Sequence, residues 1–367
     1  MKLPRQHANL SLRTIAIVVS FALLASACRH VVPERNAVPF EDRLRAAFAE
    51  LERSDVTALV AVSHQGGPAV VREFGAAKSD GVPGGDTQVD VNSVTKTFTG
   101  VAFLKLAAQG KVKFDERLGE IFPNVPQDKA GITVHQLLTH SSGLVESVGP
   151  DPERLSREEF LQRTFASRLS SAPGKKYRYS NAGFSVLAAI LELRSRKTYE
   201  SYLREDVLQG LDLQDTGYAA IYDEARSLRT ENGLPIMQAS WGGHEPYWNL
   251  IGNGGLVSTA EDFIQFRQAL KAGRIVPVNL VKLSQTAHVA ESRFGGSYYG
   301  YGLVVQEKPK LGRFYWHDGG NGVFSAKWID YLDQSDLIFT AAADSSHGDA
   351  VEVLSIVEKH LYGATSD

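Results

Sequence analysis

The β-rich segments of this chain lie at its two ends, and that placement limits the folds open to it. Val56–Ser63 and Ala69–Phe74 are strand-like runs parted by Gln65-Gly66-Gly67, the pattern of a hairpin. Comparable runs return only at Tyr299–Gln306, Arg313–Trp316, Val323–Tyr331 and Leu337–Ala342, and the stretch between reads as short helices and loops. An isolated hairpin is at best marginally stable in water, so the two blocks are expected to complete one another's sheet. Apolar residues at helical spacing flank them: Phe40, Leu44, Phe48 and Leu51 before, Val351–Leu361 after. The expected fold class is α/β (α+β): an antiparallel sheet flanked by N- and C-terminal helices, with an inserted all-helical lobe. The expected sheet lobe is 39–92 plus 297–361 and the helical lobe 93–296, within a domain spanning 39–361 that is followed by a tail, 362–367. A cleft between lobes is a common place for a small-molecule site.

Within the helical part, Ser93-Val94-Thr95-Lys96 opens a helix that runs to Ala108 and stops at Gly110. Its apolar residues wrap almost the whole circumference, so the helix is expected to be buried. Lys96 lies one turn along from Ser93, within reach of its hydroxyl. A serine hydroxyl is a poor nucleophile until a base takes its proton. A lysine serves as that base when burial and the positive end of a helix dipole lower its pKa. The plain alternative is a serine helix cap followed by a surface lysine, and roughly one such pair is expected by chance in a chain of this size. What singles this pair out is its position at the head of the most apolar helix.

Two further stretches are candidates to complete a site. Tyr179-Ser180-Asn181 stands at the mouth of the apolar run Asn181–Leu193. A phenol there can share protons with a Ser/Lys pair, and an amide can steady the lysine or bind a substrate carbonyl. Tyr247-Trp248-Asn249 has the same spacing but sits in a glycine-rich loop. His317-Asp318-Gly319-Gly320 ends the strand Arg313–Trp316, where glycines can offer a backbone N–H to an oxyanion together with that of Ser93. His64-Gln65-Gly66 shares the His-x-Gly pattern and is more simply a hairpin turn. Ser156 with Glu159 and Ser258 with Glu261 read as capping boxes.

Composition narrows the function classes. The net charge is −3 and no Lys/Arg cluster stands out beyond the leader, so nucleic acid is not an expected partner. One cysteine excludes an intramolecular disulfide, C-x-x-C and H-E-x-x-H patterns are absent, and no metal or cofactor is expected. No protein partner is identifiable. The leader has basic residues Lys2, Arg5 and Arg13, an apolar core Thr14–Leu24, and Ala25-Ser26-Ala27 before Cys28. Leu24–Cys28 resembles a bacterial lipoprotein signal, although Ala25 stands where Leu is more usual. Residues 1–27 are expected to be removed, leaving a 28–38 spacer with Cys28 lipidated, or free after plain secretion. Either route leads to the bacterial cell envelope, periplasmic or membrane-anchored.

Together, Ser93-x-x-Lys96, Tyr179-x-Asn181 and His317-x-Gly319 resemble the three signatures of the penicillin-recognising serine hydrolases. The similar branch holds class C β-lactamases, D,D-carboxypeptidases, D-aminopeptidases and β-lactamase-like esterases. Leu137–Leu144 and Gly254–Asp262 resemble landmark stretches of the same branch, so the resemblance covers about residues 40 to 361. It implies a two-lobed fold and a hydrolase that cleaves an ester or amide through an acyl-serine intermediate. Ser93 would be the nucleophile, Lys96 its base, and Tyr179 the group that protonates the leaving group and helps to activate water. Asn181, His317, Asp318, Gly319 and Gly320 would bind substrate, with Ser93 and Gly320 N–H groups forming the oxyanion hole. His317 takes the place of the lysine in the Lys-Thr-Gly signature. Asp318 departs from the small hydroxyl residue usual there, which suggests that carboxylate-bearing substrates are poor ones. The alternatives are a β-lactamase or D-alanyl-D-alanine carboxypeptidase, or a non-catalytic envelope binding module.

Overall fold

The computed structural model describes residues 38–77 and 85–363. The leader, Cys28 and residues 364–367 of the tail lie outside the described residues. The described residues from Phe40 onward belong to one unit.

Its strands are β1 (Ala58–His64), β2 (Val70–Phe74), β3 (Val89–Asp90), β4 (Val257–Ser258), β5 (Val289–Ala290), β6 (Ser297–Tyr299), β7 (Val304–Lys308), β8 (Gly312–Gly320), β9 (Phe324–Tyr331) and β10 (Asp336–Ala343). Eight form one sheet in the order β2-β1-β10-β9-β8-β7-β6-β5, while β3 and β4 pair separately. The N-terminal hairpin joins the C-terminal meander through β1 and β10, antiparallel from Ala58↔Ala342 to His64↔Asp336. The six helices that matter here are α1 (Phe40–Leu51), α2 (Thr95–Ala108), α3 (Val134–Leu138), α4 (Asn181–Ser195), α5 (Ala260–Lys271) and α6 (Ala350–Tyr362).

Side chains of a strand alternate between faces, and β1 uses both. Ala58, Val60 and Val62 join Leu44 and Phe48 of α1 and Val353, Leu354 and Val357 of α6 in one core. Leu59 and Ala61 join the larger core that runs through α2, α4 and α5. Every residue of β10 is buried, as expected of a strand covered on both faces.

Helix α2 is buried around most of its circumference and is held close to the turn between β6 and β7. A methyl group on Gly100 would lie 2.3 Å from the Tyr301 carbonyl oxygen, and one on Gly302 (φ +74°) 2.1 Å from that of Lys96. Only glycine permits this approach of two backbones. That contact explains a departure from expectation: the run Tyr299–Gln306 is two strands, β6 and β7, broken at Gly300–Gly302. The sheet also takes in β5, and α5 packs on β1 and β10, although both fall inside the 93–296 span expected for the helical lobe. The cap of α5 is Thr259, which accepts the Asp262 N–H, and not Ser258 with Glu261. Ser258 is drawn into β4, where its hydroxyl meets that of Thr216. The capping box of Ser156 and Glu159 forms. Among the described residues no helix is long and apolar enough to cross a membrane.

Candidate active site

Ser93 lies in a single 3₁₀ turn, Asn92–Val94, that runs straight into α2. No side chain caps this helix, so the Ser93 hydroxyl is not engaged as an N-cap. The turn is fixed from outside: Asn92 donates its N–H to Asp90 Oδ1 (2.7 Å) and its Nδ2 to the Phe324 carbonyl (3.1 Å).

Lys96 is fully buried, with Nζ 3.0 Å from Ser93 Oγ and 2.7 Å from the Asn253 carbonyl oxygen. The rings of Tyr179 and Phe184 flank it at 4.8 and 5.7 Å. Burial drives its pKa well below that of an ordinary lysine, and the carboxylates of Asp151 and Glu146 only partly oppose this. The outcome is an amine whose uncharged form is favoured beside a serine hydroxyl.

Tyr179 is held protonated by burial, which raises its pKa above the ordinary tyrosine value and is only partly opposed by the Ser93 hydroxyl. Its position follows from the segment that leads into α4, whose cap Ser180 accepts the Gly183 N–H at 2.9 Å. Asn181 begins α4, and its Oδ1 is buried without a hydrogen-bond partner among the described residues. The contact that steadies Lys96 therefore comes from the Asn253 carbonyl and not from the Asn181 amide.

The His317–Gly320 stretch lies within β8 and not beyond its end. A methyl group on Gly319 would sit 2.3 Å from the Ser93 amide nitrogen, so β8 presses directly on the nucleophile's turn. His317 faces Tyr299, whose hydroxyl is 2.8 Å from Nε2, while Nδ1 is 2.6 Å from the Asp318 carbonyl. Burial, aided by Lys96, lowers the His317 pKa to about 3, which leaves the ring uncharged near neutrality. The Asp318 carboxylate acts on Tyr179 and favours its protonated form.

Ser93, Asn181 and Gly320 line one cavity of about 50 Å³, together with Asp90, Asp151 and Asn253. Sequence reasoning missed Asp90, Asp151 and Asn253 as part of this wall, and His140 behind Tyr179. His140 lies in a stretch already singled out, Leu137–Leu144, and Asn253 directly precedes another, Gly254–Asp262, whereas Asp151 sits in a loop with no pattern to mark it. The competing motifs have structural partners: Asn249 donates to the Pro150 carbonyl (2.8 Å), and His64 pairs with Asp336 (2.6 Å) and stacks on Phe40.

Comparison with known proteins identifies similar chains. Penicillin-binding protein 4* of Bacillus subtilis is 23% identical over 306 residues, which cover 76% of this chain and 66% of that protein, just under two thirds of its length. Esterase EstB of Burkholderia gladioli is 27% identical over 345 residues, covering 80% of this chain and 88% of EstB. A penicillin-binding protein structure from Bacillus halodurans superposes with a TM-score of 0.70 at 22% identity, over 86% of this chain and 99% of that one. The Beta-lactamase family profile matches residues 44–354, and with that span covered the chain belongs to the β-lactamase family.

Proposed function

We propose that this protein is a serine hydrolase that cleaves an ester or amide through an acyl-Ser93 intermediate. The observation that carries the reading is the fully buried Lys96 amine, 3.0 Å from the Ser93 hydroxyl and 4.8 Å from the centre of the Tyr179 ring. With the Asn253 carbonyl taking one Lys96 hydrogen, the uncharged amine keeps a lone pair within reach of the Ser93 proton. As Oγ bonds to the substrate carbonyl carbon, its proton passes to Lys96. The bond to the leaving oxygen or nitrogen then breaks as Tyr179, replenished from Lys96, supplies the proton. Water adds to the acyl group by the reverse sequence, releasing the acid and restoring the Ser93 hydroxyl. Ser93 and Gly320 N–H groups hold the oxyanion, and Asn181 binds the substrate beside it. Gly319 lets β8 approach, and neutral His317, anchored by Tyr299, fixes the strand.

The negative charge of Asp318 near Tyr179 favours esters or amides that lack a carboxylate over penicillins and D-Ala-D-Ala ends. Similarity to a protein named an esterase supports this, while similarity to a penicillin-binding protein supports the β-lactamase or carboxypeptidase reading. Turnover of p-nitrophenyl butyrate against nitrocefin decides between them. The butyrate is expected to be the faster substrate, to lose turnover in Ser93→Ala, and to lose its lead in Asp318→Thr. Faster nitrocefin hydrolysis by the wild type would reverse the assignment. Cys28 and the leader support an envelope location with a lipid anchor, which radiolabelled palmitate incorporation lost in Cys28→Ala would establish.

A further inference from the structure

The Asn253 carbonyl that meets Lys96 belongs to a glycine-rich turn, and buried backbone groups in such a turn must find partners outside regular structure. The Tyr218 hydroxyl accepts the Gly252 N–H at 3.0 Å and donates to the Gly254 carbonyl at 2.9 Å, so it brackets Asn253 on both sides. Thr99 donates to the Gly252 carbonyl at 2.6 Å, and Thr95 accepts the Leu256 N–H at 3.2 Å. The Asn253 side-chain amide donates to Ser185 Oγ at 2.8 Å and to the Asn249 carbonyl at 2.7 Å. Thr95 and Thr99 stand one turn apart on α2, so a single face of the helix that carries Lys96 grips the turn twice. Threonine has no advantage as a helix former, and both are fully buried; their hydroxyl contacts are what these positions supply.

We propose that Tyr218, Thr99 and Thr95 are positioning residues for the base: they clamp the turn Gly252–Leu256 so that the Asn253 carbonyl keeps the Lys96 amine within reach of the Ser93 hydroxyl. Their action is indirect, through one carbonyl oxygen. A carbonyl binds an ammonium more strongly than a neutral amine, so loosening the turn has two consequences. The amine is free to swing away from Ser93, which lowers kcat. Its protonated form loses an acceptor, which moves the acid limb of kcat/KM to lower pH. The other groups that act on Lys96 or feel its charge, Asp151, Glu146, His140 and His317, together with the flanking ring of Tyr179, lie outside the clamp and are left in place.

The clamp rests on the hydrolase reading, and its test keeps the two apart. kcat, KM and the pH profile for p-nitrophenyl butyrate are measured on wild type, Tyr218→Phe, Thr99→Val and Thr99→Ser, with folding followed by circular dichroism and Ser93 by fluorophosphonate labelling. Tyr218→Phe and Thr99→Val keep the shape and lose a hydroxyl. Each is expected to lower kcat by about 10-fold or more with KM changed less than about 2-fold, and to bring the acid limb down by about 0.5 in pH. Thr99→Ser retains the hydroxyl and is expected to stay within about 3-fold of wild-type kcat. Folded Tyr218→Phe and Thr99→Val proteins with wild-type kcat and an unmoved acid limb, or a Thr99→Ser protein as impaired as Thr99→Val, would overturn the clamp alone. Should Tyr218→Phe fail to fold, the Thr99 pair decides. A wild type that neither hydrolyses the butyrate nor labels at Ser93 would remove the hydrolase reading and the clamp with it.

Discussion

His140 pins Tyr179 from both sides: its backbone carbonyl accepts the Arg178 N–H at 2.7 Å, and its ring Nδ1 accepts the Ser180 N–H at 3.0 Å. The ring also lies 4.3 Å from that of Tyr179, and the residue holds φ +54°, a left-handed conformation that is uncommon outside glycine. His140→Ala leaves the Ser180 N–H without its acceptor and opens a void beside Tyr179. A stability loss of about 2–4 kcal/mol is expected from the two effects together. Esterase turnover is expected to fall by at least 10-fold through kcat, because the phenol loses its fixed place. A variant with lowered Tm and undiminished kcat would show that Tyr179 does not depend on this clamp.

Lys96 sets a conflict between stability and chemistry. Its folded pKa lies below its unfolded one, so the unfolded chain binds the extra proton between those two values and stability there rises with pH. Lys96→Met removes the penalty of burying the amine and is expected to raise Tm at pH 7 by about 1–2 °C, the shift that roughly 1 kcal/mol brings to a domain of this size. The same variant is expected to lose turnover by about 10³-fold or more. Since the base works uncharged, wild-type kcat/KM is expected to fall as pH drops through the depressed Lys96 pKa, with no loss at alkaline pH below 10 from the Tyr179 phenol.

His317 titrates in the opposite part of the pH scale. Its folded pKa of about 3 lies below the unfolded value, so stability is expected to decline as pH falls from 6.5 toward 3 while the unfolded chain takes up the proton. Buried His140, held neutral in the same way, adds to the slope. Urea titrations at several pH values should show a shallower decline in His317→Gln. An unchanged slope would place the His317 proton elsewhere.

Two neighbouring glycines should behave differently. Gly319→Ala puts a methyl 2.3 Å from the Ser93 amide nitrogen, so β8 or the nucleophile's turn must move, at a cost of about 1–3 kcal/mol. Gly320→Ala meets nothing closer than 3.7 Å and is expected to change Tm by less than about 2 °C. Thermal unfolding of the pair checks this, and equal Tm values would contradict the close approach of β8.

These contacts also mark what a sequence can tell. The sheet and its covering helices were readable because β1, β10, α1 and α6 carry their periodicity locally. The break between β6 and β7 was hidden, since Gly302 is required by the Lys96 backbone far away in the chain. Ser258-Thr259-Ala260-Glu261-Asp262 holds two overlapping capping patterns, and the pairing of β3 with β4 decides between them. Ser93, Lys96, Tyr179 and Asn181 could be picked out by type and spacing. Asp151 could not, because only the fold brings its loop to the wall of the cavity.

The account depends most on the Ser93 hydroxyl acting as a nucleophile. Intact mass spectrometry after incubation with a fluorophosphonate measures this directly: one covalent adduct is predicted on the wild type, none on Ser93→Ala, and a much slower one on Lys96→Met. A wild-type protein that stays unmodified, or a Ser93→Ala protein that labels as fast, would contradict it.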